Sequence, residues 1–172
     1  FCFIHSLLKI MDLSDQSIQP MADHRNDNVI IFNGSIYNYK DLKKEYFQNE
    51  KFKSNTDTEI ILKMYNKFGL NFLNYLKGMY AFALFDKKKN KIFIFRDRFG
   101  IKPLFYFSKM DFFVFASEIK VLLKNKIVKN SIEVNYEKVI EFIAHRNLNR
   151  SSSTLIKNIK ILNPGNFVEY DL

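Results

Sequence analysis

The chain has 172 residues, a single cysteine and a formal net charge of +9. That length fits one domain with a substantial core, the lone Cys2 excludes an internal disulfide framework, and no ligand set for a zinc site is expected. No apolar run reaches membrane-spanning length, no secretory signal opens the chain, and the lysines are scattered among acidic residues, so neither a membrane nor a nucleic acid is the expected partner and the cytoplasm is the expected compartment.

In chain order, residues 29–32 form a short apolar strand ending on Asn33-Gly34, a pair common in turns. Residues 39–48 read as a helix that is polar on one side. Residues 57–68 read as a stronger helix, with Ile60, Ile61, Met64, Tyr65 and Phe68 on one buried face. Thr56 or Asp57 caps it and Gly69 stops it. A short helical piece follows at 72–76. Residues 79–85 and 91–96 then form a β-hairpin across 86–90, where Lys87-Lys88-Lys89-Asn90 suits a solvated turn. A second strand pair runs over 104–107 and 112–116. Both pairs are almost continuously apolar, which predicts cover on both faces. Helices are expected over 117–124 and 136–144, a polar loop over 146–153, and a turn at Asn163-Pro164-Gly165 before a final strand ending near 170. Strands covered by helices on both sides make a layered α/β domain.

Several motifs fall in one order: Asp12-Leu13-Ser14, Gln19-Pro20-Met21, Phe32-Asn33-Gly34-Ser35-Ile36-Tyr37-Asn38, Asn55-Thr56-Asp57-Thr58-Glu59, Gly78-Met79-Tyr80-Ala81-Phe82-Ala83, Arg96-Asp97-Arg98-Phe99-Gly100-Ile101-Lys102-Pro103-Leu104 and Phe115-Ala116-Ser117-Glu118-Ile119-Lys120. Together they resemble the class II glutamine amidotransferase domain of glutamine-hydrolysing asparagine synthases. The resemblance implies an α/β (α+β) fold, the four-layer αββα sandwich of N-terminal-nucleophile (Ntn) hydrolases with mostly antiparallel sheets. It also implies a domain over 1–125 lacking its N-terminal strand, and a linker helix and strand over 126–172 leading to an ATP-dependent synthetase domain. Phe1 rather than Met opens the sequence, and a fragment truncated at both ends is expected.

By the same resemblance, the Asn33 side chain and the Gly34 N–H stabilise the oxyanion formed when a glutamine amide is attacked, donors aimed where charge develops. Asp57 holds the glutamine α-ammonium. Two positions depart from the family. Ser35 stands where the family has a glutamate, and Leu7 where it has the arginine that clamps the glutamine carboxylate. Lys9 lies on the same strand face as Leu7. Each lost charged contact weakens binding by about tenfold or more, so glutamine binding is expected to be weakened or lost.

The family's nucleophile is an N-terminal cysteine followed by Gly-Ile, which Cys2 lacks, and Cys2 is expected to be a buried structural residue in a strand leading to Asp12. No catalytic residue is therefore expected in this chain, and no metal site. His5, His24 and His145 have no metal-ligand spacing. Arg96-Asp97-Arg98, with Gly100 and Lys102-Pro103, is expected to form a tight turn braced by an ion pair, or part of the surface facing the synthetase domain. The chain itself implies no cofactor; ATP and magnesium belong to the synthetase domain, expected as a partner in cis or in trans. A homodimer is also allowed. The expected function is the glutamine-binding, ammonia-supplying part of an enzyme that amidates aspartate, inactive alone. The alternative is a non-catalytic docking or folding module of a synthetase using free ammonia or another carboxylate acceptor.

Overall fold

Alternation along the strands sorts the apolar side chains into three separate layers of core. A computed structural model describes residues 1–6, 12–23, 27–146 and 151–172. Its first sheet has the order β1 (Met21–Asp23), β2 (Asn28–Ile36), β3 (Gly78–Asp86), β4 (Lys91–Arg96) and β8 (Phe167–Asp171). The second has the order β6 (Phe112–Ala116), β5 (Phe105–Lys109) and β7 (Ile159–Ile161). All pairings are antiparallel.

One face of the first sheet carries Ile30, Phe32, Tyr80, Phe82, Leu84, Phe93 and Phe95. It packs on Ile60, Ile61, Met64 and Tyr65 of α2 (Asp57–Phe68), and Leu42 of α1 (Tyr39–Tyr46) joins the cluster. The opposite face carries Ile31, Ala81, Ala83, Ile92 and Ile94, which meet Leu104, Tyr106, Phe113 and Phe115 of the second sheet. The far side of that sheet places Phe107 and Ile159 against Leu122 of α3 (Ile119–Leu122) and Val128 of α4 (Lys126–Lys129). The layers are helix, sheet, sheet, helix, as both-face apolarity of the strands predicts.

The stretch 126–172 contains α4, α5 (Tyr136–His145) and two paired strands: β7 bonds to β5 and β8 to β4. The expected polar loop at 146–153 lies partly outside the described residues. Among the described residues no helix is long and apolar enough to cross a membrane.

The Arg96-Asp97 turn is braced, but not by an ion pair between the two. Asp97, 0% exposed, accepts from the backbone N–H groups of Phe99 and Ile101 on Oδ1, and of Lys102 and Tyr80 on Oδ2, at 3.0–3.3 Å. Burial pushes its carboxyl upward, but these donors together hold it below the ordinary carboxylate range. The Arg96 guanidinium donates to the carbonyls of Lys102 at 2.8 Å, Leu162 at 2.5 Å and Gly100 at 2.7 Å. Each charge is spent on backbone groups that the loop leaves without strand partners.

Candidate functional site

The site is built on the outer edge of β2. Asn33-Gly34 is not a turn. It lies within the strand, with Asn33 opposite Ala81 and Gly34 opposite Tyr80. Glycine is required here by close approach. A Cβ at Gly34 would lie 2.2 Å from the Met79 carbonyl oxygen, and one at Gly78 across the ladder would lie 2.2 Å from that of Ser35. Gly34→Ala is therefore expected to lower stability by about 1–3 kcal/mol, as overpacking does; a urea unfolding midpoint equal to wild type would contradict this packing.

Every second N–H of β2 points away from β3. β1 pairs only with residues 28–30, so among the described residues the edge beyond Ile30 has no neighbouring strand. Two side chains from elsewhere fill part of the gap. Gln19 Oε1 accepts from the Phe32 N–H at 2.6 Å, and Asp57 Oδ2 accepts from the Ile36 N–H at 2.8 Å. Gly34 sits between them with the same parity. Its partner in register, Tyr80, instead turns its own N–H and carbonyl to Asp97. The Gly34 N–H thus has no acceptor among the described residues, while its neighbours on either side are satisfied.

Asp57 opens α2 and is 4% exposed. The preceding loop is fixed from two directions. Asp12 Oδ2 accepts from the Asn55 N–H at 2.9 Å, and Glu59 accepts from the Lys53 and Ser54 N–H groups. Burial raises the Asp57 carboxyl above its ordinary range, opposed by the N–H groups of Ile36, Asp57 and Thr58. Among the described residues no lysine or arginine pairs with it. A buried carboxylate with backbone donors and no cation is suited to receive an ammonium ion.

Asn33 shares a face of β2 with Ile31, the face turned to the second sheet. Its Nδ2 donates to Ser117 Oγ at 3.4 Å, across the gap between the sheets. Asn33, Gly34, Ser35, Thr56, Asp57 and Thr58 all line one cavity of about 1010 Å³. The rest of its wall is largely apolar, and the small Ala81 and Ala83, in one cluster with Phe113 and Phe115, leave room between the sheets. The structure therefore brings Asn33, Gly34, Ser35 and Asp57 together. Leu7 and Lys9 lie outside the described residues.

Cys2 is exposed, not buried, and lines the same cavity. Residues 1–6 form no strand. Instead the rings of Phe1 and Phe3 pack on Phe85 at 4.4 Å and on Phe115 at 6.1 Å, and Cys2 between them is left out of the apolar contact. Its thiol approaches the Phe3 carbonyl, at 3.9 Å.

Two contributors escape a reading of the sequence. Gln19 is recognisable only as part of Gln19-Pro20-Met21, and Ser117 only as a helix start. Their contacts join residues 13 and 84 positions apart in sequence.

The sequence matches, over residues 1–172, the family described as glutamine amidotransferase domain. It is 39% identical over 154 residues to putative asparagine synthetase [glutamine-hydrolyzing] 2 of Methanocaldococcus jannaschii, covering 81% of this chain and 30% of that protein. It is 37% identical over 175 residues to asparagine synthetase [glutamine-hydrolyzing] 2 of Bacillus subtilis, covering 99% of this chain and 23% of that protein. The chain thus spans less than a third of these relatives. Among solved structures it resembles glutamine phosphoribosylpyrophosphate amidotransferase from B. subtilis, with a TM-score of 0.56, 25% identity and coverage of 63% of this chain and 26% of that one. It also shares the fold of an allosteric regulatory enzyme of purine biosynthesis, with a TM-score of 0.63, 20% identity and coverage of 91% of this chain and 30% of that one.

Proposed function

This chain belongs to the glutamine amidotransferase domain family, in its asparagine synthetase branch, and on that premise we propose that it is the glutamine-binding part of an enzyme that supplies ammonia for the ATP-dependent amidation of aspartate, and that it releases no ammonia alone. One observation carries this reading: a buried carboxylate with no cation beside it among the described residues, a carboxamide, and a backbone N–H with no acceptor among the described residues lie on the wall of one cavity. Asp57 takes the α-ammonium of glutamine. The Asn33 carboxamide and the Gly34 N–H donate to the side-chain oxygen as the thiolate of a cysteine other than Cys2 adds to the amide carbon and that oxygen becomes negative. The proton given up by that thiol passes to the amide nitrogen, the C–N bond breaks and ammonia leaves, and water releases glutamate from the thioester. Ser35 adds no charge, so one carboxylate holds the ammonium. The aspartate, ATP and magnesium sites belong to a synthetase domain in cis or in trans, in the cytoplasm.

Cys2 is not the attacking thiol in this reading. A thiol needs a base or a positive field to become a useful nucleophile, and the Cys2 thiol meets a neighbouring carbonyl oxygen. Ammonia release from glutamine by the purified 172-residue chain is expected to stay at background, and Cys2→Ala is expected to leave it there. Release that Cys2→Ala abolishes would make Cys2 the nucleophile. Release that survives the substitution would place the chemistry elsewhere than proposed.

A further inference from the structure

We infer that Gln19 is a positioning residue for the glutamine site, holding the Gly34 N–H and the Asp57 carboxylate at a fixed separation. The inference rests on the glutamine reading above. Gln19 is buried and reaches two elements at once: Oε1 accepts from Phe32 N–H on β2 at 2.6 Å, and Nε2 donates to Thr58 Oγ1 on α2 at 3.5 Å. Thr58 follows Asp57, and Asp57 returns to β2 through Ile36 N–H at 2.8 Å. The contacts close a ring of Phe32, Gln19, Thr58, Asp57 and Ile36, with Gly34 midway along its strand side.

This ring stands where the described residues supply no ladder to β2. β1 stops at Met21, opposite Ile30. A continued strand would satisfy Phe32, Gly34 and Ile36 alike and close the edge to a ligand. The Gln19 side chain satisfies Phe32 alone and leaves the Gly34 N–H without an acceptor among the described residues. Its amide also has both an acceptor and a donor in use, which is what a link between two elements requires. A ligand that engages both ends of the site needs their spacing fixed beforehand, because ordering it on binding costs affinity. A ligand that engages only the Asp57 end does not.

Glutamine and norvaline separate these cases. Norvaline keeps the α-amino acid head and the three-carbon side chain but has no carboxamide. Thr58→Val removes the helix arm of the ring and leaves Phe32 bonded to Gln19; Gln19→Met removes both arms at similar length. In calorimetric titrations, Thr58→Val is expected to weaken glutamine by about three- to tenfold, the worth of one hydrogen bond, with norvaline unchanged. Gln19→Met is expected to shift the ratio at least as far. An unchanged glutamine-to-norvaline ratio in folded Thr58→Val, or an equal loss for both ligands, would overturn the assignment. Amide hydrogen exchange in the ligand-free protein gives an independent reading. The Ile36 amide is expected to exchange faster in Thr58→Val than in wild type, and an equal rate would overturn the coupling. Wild-type protein that fails to prefer glutamine over norvaline would refute the glutamine reading itself, and the exchange rates would then decide the role of Gln19 alone.

Discussion

Asp97→Ala is expected to lower the free energy of unfolding by about 4 kcal/mol or more, measured by urea denaturation, because several buried N–H donors lose their acceptor at once. Against a total stability of roughly 5–15 kcal/mol, that loss leaves a marginal or unfolded chain. Four donors converge on one fully buried carboxylate, and each belongs to backbone with no ladder partner at that point. The same carboxylate fixes its sign with pH. Its folded value lies below the ordinary 3.8. Asp97 therefore contributes stability that is present above the unfolded value and is lost as pH falls through the folded one. Acid unfolding that is no less steep in Asp97→Asn than in wild type would contradict this.

Asp57→Asn is expected to do the opposite to the fold and more to the ligand. Asparagine keeps an acceptor for the Ile36 N–H and removes only the charge. Burial raises the folded value of Asp57 above 3.8. The group therefore contributes stability that is fully present below the unfolded value and lost as pH rises through the folded one. At neutral pH its charge is a cost to the fold, so Asp57→Asn is expected to match or exceed wild-type stability. The ammonium of glutamine loses its counter-charge in the same variant, and affinity is expected to fall by about tenfold or more. A residue that burdens the fold and serves the ligand is a mark of a binding site. A residue kept for helix capping alone would lower stability when changed and leave affinity untouched.

How far the sequence reveals this depends on how local each signal is. The α2 helix and the hairpin of β3 and β4 are written in periodicity and turn residues, and they form as those signals dictate. The small residues Ala81 and Ala83 and the large Phe113 and Phe115 alternate as strands do, but that they face each other across a cavity follows only from the stacking of two sheets. Asn33-Gly34 misleads for a physical reason. The dipeptide favours turns, yet here glycine serves the close approach of β3, and pairing with residues 78–81 carries the strand through it. Arg96 and Asp97 invite an ion pair because they are adjacent and opposite in charge, but backbone groups of the folded loop compete for both. Cys2 is apolar enough to suit a core, and the neighbouring phenylalanines take the apolar contacts instead. Gln19 and Ser117 act through partners distant in sequence, for which no local pattern exists.

Calorimetric titration of glutamine into wild type and into Asp57→Asn, with urea unfolding of both, bears most directly on the claim that Asn33, Gly34 and Asp57 frame one glutamine. The expected result is weak, saturable binding to wild type that is lost in a variant at least as stable. Equal binding by the two proteins, or no saturable binding by folded wild type, would contradict it.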